Sequence, residues 1–216
     1  MKKASNLISG VPLLALMLLT LLASLLPQQA LANDAALYGP SAPPGSAFVR
    51  VFNAQDQPET QAQLGEQKFE EVASWGSSEF LFVPAGSHPL KVGSASKTVQ
   101  LQADRYYTAV VNDGQLLLLD SSRYNNRMKA LVIVYNLSEA KSLSLRTADG
   151  RTPLVDNVTS KGQGSREVNP AKASLAVFDG DRRLGEAPPV NLSRGKAFSL
   201  FVVGDASAPR LVWAIN

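Results

Sequence analysis

Ser46-Ala47-Phe48-Val49-Arg50-Val51-Phe52-Asn53-Ala54 comes back in altered form as Lys129-Ala130-Leu131-Val132-Ile133-Val134-Tyr135-Asn136-Leu137, and the fold is decided by that recurrence. At an offset of 83, Ala47, Val49, Val51 and Asn53 meet Ala130, Val132, Val134 and Asn136, while Phe48 meets Leu131 and Phe52 meets Tyr135. Arg50 against Ile133 is the one discordant pair. Both copies are rich in β-branched and aromatic residues, apolar at nearly every position and closed by an asparagine. Each therefore reads as a buried strand running into a turn.

Further echoes support duplication. Pro84-Ala85 and Leu90-x-Val92 return as Pro170-Ala171 and Leu175-x-Val177, and Leu101, Tyr107, Ala109 and Val111 return at an offset of 91 as Leu192, Phe198, Leu200 and Val202. Glu79 to Val83, Pro89 to Val92, Thr98 to Leu101 and Tyr106 to Val111 read as strands. Asp113-Gly114 between two apolar runs is a hairpin signal, and Asp149-Gly150 reads as a turn. Gly86-Ser87-His88-Pro89 reads as a turn, Ser160 to Arg166 as a loop, and Gln67 to Ser74 as either a strand or a short helix. Short strands with turns between them, and almost no 3.6-residue period, predict an all-β chain of two tandem antiparallel β-sandwich domains joined by a short polar linker. The expected boundaries are 33–120 for the first domain, 121–128 for the linker and 129–216 for the second; one continuous sandwich or barrel is the alternative.

Residues 1–32 read as a secretory signal peptide: Lys2 and Lys3, an apolar run from Val11 to Leu26, and Ala30-Leu31-Ala32 before Asn33. An uncleaved anchor is the rival, against which the run is shorter than the roughly 20 residues that span a bilayer. The chain has no cysteine, so the fold rests on its core and not on disulfides. Without its two signal lysines the chain carries 19 Lys and Arg against 18 acids, close to neutral, and nothing in the balance calls for nucleic acid.

No catalytic constellation emerges. His88 is the only histidine and lies near no nucleophile motif. One histidine and no cysteine leave no zinc ligand set, Asp179-Gly180-Asp181 reads as a hairpin turn rather than a calcium loop, and Glu70 and Glu71, adjacent on a strand, point to opposite faces. Neither a metal nor a cofactor is expected. Trp75, Tyr106, Tyr107 and Tyr124 are candidates for a sugar-stacking surface, and Arg105, Arg123, Arg127 and Lys129 for a basic patch, with Tyr107 also a core candidate. Arg50, a cation in an apolar strand, needs a carboxylate, a route to water or a functional surface. The lead-in around Tyr38, which the second copy lacks, joins Arg50 as the first place to seek a partner surface.

Ala36-Leu37-Tyr38-Gly39-Pro40, Pro44 to Arg50, Gly76-Ser77-Ser78, Ala130-Leu131-Val132, Thr147 to Gly150 and Asn169-Pro170 together resemble the alginate O-acetylation protein F family (AlgF). The resemblance implies a periplasmic, non-catalytic accessory protein needed for O-acetylation of alginate. Its implied partners are periplasmic alginate O-acetyltransferases, which carry the catalytic groups themselves, and a membrane acyl-transfer protein. The alternative is a carbohydrate-binding module that holds the polymannuronate chain, and a third reading is an acyl-serine carrier. The candidate surface residues are then Tyr38, Arg50, Trp75, Arg105, Arg123 and Arg127.

Overall fold

The computed structural model describes residues 42–215 other than Thr60 and Arg123, and of Ser121 and Ser122 the backbone alone. The expected signal peptide, Tyr38 with its lead-in as far as residue 41, and Arg123 lie outside the described residues. Every regular element among those described is a strand. The first unit comprises β1 (Ser46–Asn53), β2 (Ala62–Leu64), β3 (Gln67–Lys68), β4 (Gly76–Ser77), β5 (Leu81–Pro84), β6 (Gly86–Val92), β7 (Ala95–Leu101), β8 (Arg105–Asn112) and β9 (Gln115–Ser122). The second comprises β10 (Ala130–Ser138), β11 (Ser142–Thr147), β12 (Pro153–Thr159), β13 (Gln163–Val168), β14 (Ala171–Ala173), β15 (Leu175–Asp179), β16 (Arg182–Glu186), β17 (Val190–Leu192), β18 (Ala197–Gly204) and β19 (Arg210–Ile215).

Each unit is a sandwich of two sheets. In the first, β1 has β4 and β5 antiparallel along one edge and β8, then β9, along the other, and a sheet of order β3-β2-β6-β7 lies opposite. In the second, sheets of order β13-β10-β18-β19 and β12-β11-β15-β16 repeat that plan, with β14 and β17 as a short ribbon. Register confirms the duplication. Val49 pairs with Tyr107 and Val132 with Phe198, the same positions under the two sequence offsets.

Pairing is antiparallel except at the centre of each unit, where β1 and β8, and likewise β10 and β18, run parallel. The reason is topological. The chain returns antiparallel through β5 or β13 on one edge of the first strand, then comes back in the original direction on the other edge. The hairpin read at Asp113-Gly114 closes β8 onto β9, with Asn112 opposite Gln115 and φ values of 46° and 72° at the two turn residues. Both central residues of a type I′ turn need positive φ, which aspartate tolerates and glycine favours.

Three readings change. Gly86 to Pro89 is not a turn but the first half of β6, paired along its whole length with β7. Pro89 fits there because pairing to β2 ends at Leu90, so the proline contributes only its carbonyl, which accepts from the Gly65 amide at 2.8 Å. The expected loop from Ser160 to Arg166 becomes strand from Gln163 onward, because the open edge of β10 supplies a ladder. Ser121 and Ser122, assigned to the linker, continue β9, with Ser122 opposite Arg105. The undecided Gln67 to Ser74 stretch is a two-residue strand followed by irregular chain, pinned where Val72 bridges to Glu59.

Side-chain alternation builds three cores. Ala47, Val49 and Val51 face the first sandwich, with Leu64, Leu90, Leu101, Tyr107 and Ala109. Ala130, Val132 and Val134 face the second, with Leu145, Leu175, Val177, Phe198 and Leu200. The opposite faces of the same inner strands meet each other: Phe52, Val110, Ile133, Tyr135, Phe201 and Val203 form a third core between the sandwiches. Phe201 stacks on Phe52 at 3.8 Å and on Tyr135 at 4.7 Å between ring centroids. The polar connection is therefore not what alone holds the units together, since an apolar face of each is packed on the other.

The repeated asparagines serve as clamps. The buried Asn136 amide donates to the Ala140 and Val158 carbonyls at 2.9 and 3.0 Å and its oxygen accepts from Ser138, tying the end of β10 to the opposite sheet. Asn53 donates to Gln57 at 2.7 Å and to Val72 and Ala73 at 3.3 and 3.4 Å. Asn136→Ala is expected to cost about 2–3 kcal/mol by orphaning buried carbonyls, and Asn53→Ala less, because two of its three bonds are long; urea denaturation of both variants checks the order. Phe201→Ala is expected to cost about 3–5 kcal/mol, read as a fall in the thermal midpoint.

Candidate functional site

Four polar side chains stand on the inner-sheet faces that meet between the sandwiches. β1 places Arg50 there, β8 places Thr108, β10 places Tyr135 and β18 places Ser199, and all four are buried. Thr108 and Ser199 are equivalent positions of the two repeats, 91 residues apart. Arg50 joins them: its Nε donates to Thr108 Oγ1 at 3.0 Å and its Nη2 to Ser199 Oγ at 2.7 Å. The guanidinium also faces the rings of Phe80 and Phe201, 5.0 and 5.4 Å from their centroids. The Tyr135 hydroxyl lies 3.4 Å from Thr108 Oγ1.

Arg50 is only 1% exposed. Burial lowers its pKa from the ordinary arginine value, while the neighbouring Tyr135 hydroxyl and, less strongly, the field of Glu79 raise it. The side chain stays charged, as arginine does in proteins. Of the outcomes entertained for this cation, a carboxylate, a route to water or a functional surface, the structure gives it hydroxyls and aromatic faces together with the Glu79 field, surroundings that suit a weakly hydrated planar cation.

A pocket of about 200 Å³ opens beside this cluster, lined by Arg50, Thr108 and Tyr135 together with Phe80, Tyr106, Tyr124, Leu131, Ile133, Gly195 and Ala197. It lies between the sandwiches. β1 and β8 supply one wall, β10 and β18 the other, and the connection after β9 brings Tyr124. Tyr106 is stacked on Phe48 at 4.5 Å and meets Phe80 edge-on at 5.1 Å, so its ring is held. Tyr124 donates its hydroxyl to the Lys129 carbonyl at 2.7 Å, and burial, seconded by Glu167, raises its pKa.

The structure sorts the candidate aromatic residues. Tyr106 and Tyr124 line one pocket. Tyr107, their neighbour on β8, points the other way into the first core, where its hydroxyl accepts from the Gln102 amide at 2.9 Å. Trp75 lies outside the pocket lining. It packs against the third core, donates to Asp56 at 2.9 Å, and carries the Arg210 guanidinium of β19 over its ring at 4.5 Å, which fastens one sandwich to the other.

The basic candidates divide likewise. Arg105 on β8 forms an ion pair with Asp120 on β9, and that bond and charge raise its pKa. Arg127 and Lys129 are exposed on the connection. His88 on β6 donates from Nε2 to the Pro84 carbonyl at 2.8 Å. Asp179 and Asp181 flank Gly180 in the β15–β16 hairpin, paired with Arg182 at 3.1 Å and Arg146 at 3.7 Å respectively. Glu70 and Glu71 are both exposed in irregular chain. Sequence reasoning missed Thr108, Ser199, Tyr135 and Phe80. The signal was present for the first two, each the one Ser or Thr of its strand and each the other's equivalent.

The fold and this cluster define an all-β protein of two stacked sandwiches with a cationic pocket between them. Residues 20–199 match the family model described as "Alginate O-acetyl transferase AlgF". The alginate biosynthesis protein AlgF of Pseudomonas fluorescens is 50% identical over 185 residues, covering 85% of this chain and 84% of that protein. Among solved structures, the C-terminal domain of AlgF from P. aeruginosa is 43% identical, covers 41% of this chain and 99% of its own, and has a TM-score of 0.38. The N-terminal domain of the same protein is 36% identical, covers 38% and 99%, and has a TM-score of 0.34. The chain belongs to the AlgF family of alginate biosynthesis proteins.

Arg50→Met keeps most of the side chain's volume but leaves the Thr108 and Ser199 hydroxyls without the guanidinium that donates to them, and is expected to cost about 1–3 kcal/mol. Arg50→Ala, which empties the space and orphans two hydroxyls, is expected to cost about 2–4 kcal/mol. Chemical denaturation of the two variants side by side measures the difference.

Proposed function

We propose that the chain is a non-catalytic accessory protein in the O-acetylation of alginate, acting in the periplasm through contacts with the alginate O-acetyltransferases and a membrane acyl-transfer protein. The observation that carries this reading is the placement of His88. O-acyl transfer needs a nucleophile and a base within hydrogen-bond reach of it. The chain's one histidine donates its Nε2–H to the Pro84 carbonyl at the end of β5, and among the described residues no hydroxyl is hydrogen-bonded to its ring. The buried hydroxyls of Thr108 and Ser199 accept from Arg50, and a guanidinium cannot take a proton from them.

Export is supported by Lys2-Lys3, the apolar run that follows and Ala30-Leu31-Ala32. A scaffold role suits the fold: two sandwiches locked through a shared core present their outer sheets and edge strands in a fixed arrangement. The test has two arms. Purified chain mixed with polymannuronate and an activated acetyl donor is expected to form no ester beyond the donor's own background. A strain lacking the chain and complemented with His88→Ala is expected to acetylate its alginate as fully as one given the parent. Ester formation by the purified chain, or loss of acetylation with His88→Ala, would overturn the accessory reading.

A further inference from the structure

Arg50, Thr108 and Tyr135 make the inner wall of the pocket between the sandwiches, and Tyr106, Tyr124 and Phe80 surround them. The arginine is not a requirement of the sandwich, because the equivalent position of the second unit is Ile133, on the same kind of inner-sheet face and lining the same pocket. Its charge acts through protein, where an approaching anion feels it more strongly than it would at an open surface. The two hydroxyls beside it, 3.4 Å apart, can turn their protons toward an acceptor. Glu79 opposes an anion from outside the lining. With Arg50 Nε and Nη2 donating to Thr108 and Ser199, the donors left for a ligand are the Thr108 and Tyr135 hydroxyls, and two hydroxyls side by side in the field of a guanidinium suit the two oxygens of a carboxylate. The volume of about 200 Å³ falls below the roughly 300 Å³ at which pockets for drug-sized ligands begin. That limits the occupant to a small acid or a single acidic sugar unit.

We propose that this pocket is a binding site for a small carboxylate, its acid group against the Thr108 and Tyr135 hydroxyls in the field of Arg50 and its body against the rings of Tyr106 and Tyr124. The chemistry has two sources, a free acid such as acetate or a free uronic acid. The inference goes beyond the accessory role and does not depend on it.

The test follows the Arg50 side-chain Nε–H and the Tyr135 backbone amide by nuclear magnetic resonance in the full mature chain. Sodium acetate and sodium mannuronate monosaccharide are titrated separately, with sodium chloride at matched ionic strength as the control. A saturable shift at these two groups with either acid, absent with chloride, is expected. Saturation by acetate alone assigns the site to free acid, and tighter saturation by mannuronate assigns it to the sugar acid. Tyr135→Phe is expected to weaken binding about tenfold, the loss of one charge-assisted hydrogen bond, and Arg50→Met, followed at the Tyr135 amide, to abolish it. If Arg50→Met does not fold, Tyr135→Phe decides. Shifts that fail to saturate, that chloride reproduces, or that Tyr135→Phe leaves unchanged would overturn the proposal, while the His88 experiment stands apart from all of these outcomes.

Discussion

Phe201 lies with Phe52 stacked on it at 3.8 Å and Tyr135 at 4.7 Å, and these three rings are where two sandwiches become one body. Two of them stand at equivalent positions of the repeat, Phe52 in β1 and Tyr135 in β10. Each inner strand is thereby buried on both faces, one against its own outer sheet and one against the other unit. That is why β1 and β10 read as almost unbroken apolar runs. A strand with one solvated face would have alternated apolar and polar residues. The orientation of the sandwiches follows from the same contact, with Arg210 over Trp75 as a second fastening at the β19 edge.

A charge set into such an interface is costly unless it is held. Arg50 is held by hydroxyls drawn from both halves, Thr108 from the first and Ser199 from the second. Because the partners come from different units, the guanidinium is satisfied only when the sandwiches are stacked in register. The arrangement adds specificity of docking to the non-directional attraction of the aromatic core. It also leaves a cation lining a small pocket that neither sandwich has on its own.

Much of this was legible in the residues. The repeat predicted two β units, and the pairings Val49–Tyr107 and Val132–Phe198 reproduce its offsets. The Asp113-Gly114 hairpin was legible because two consecutive residues tolerant of positive φ allow few other readings. Arg50 stood out for breaking the repeat. Its surroundings were not legible, since Thr108, Tyr135, Phe80 and Ser199 come from distant segments and share no local spacing. Local punctuation misled at Gly86-Ser87-His88-Pro89, where glycine and proline suggest a turn but the ladder to β7 imposes strand.

The sequence by itself determined the all-β class, the duplication and the side of each strand that is apolar, because these depend on residue type and a period of two. It also carried the family resemblance that residues 20–199 bear out. Only the tertiary structure decided which apolar face belongs to a sandwich's own core and which to the interface between sandwiches. Burial by a partner sheet and burial by another unit demand the same residues, so composition cannot tell them apart. The same holds for Arg50: its sequence position announces an exception, but whether that exception meets a carboxylate, solvent or a wall of hydroxyls and rings is set by strands that come together only in the fold.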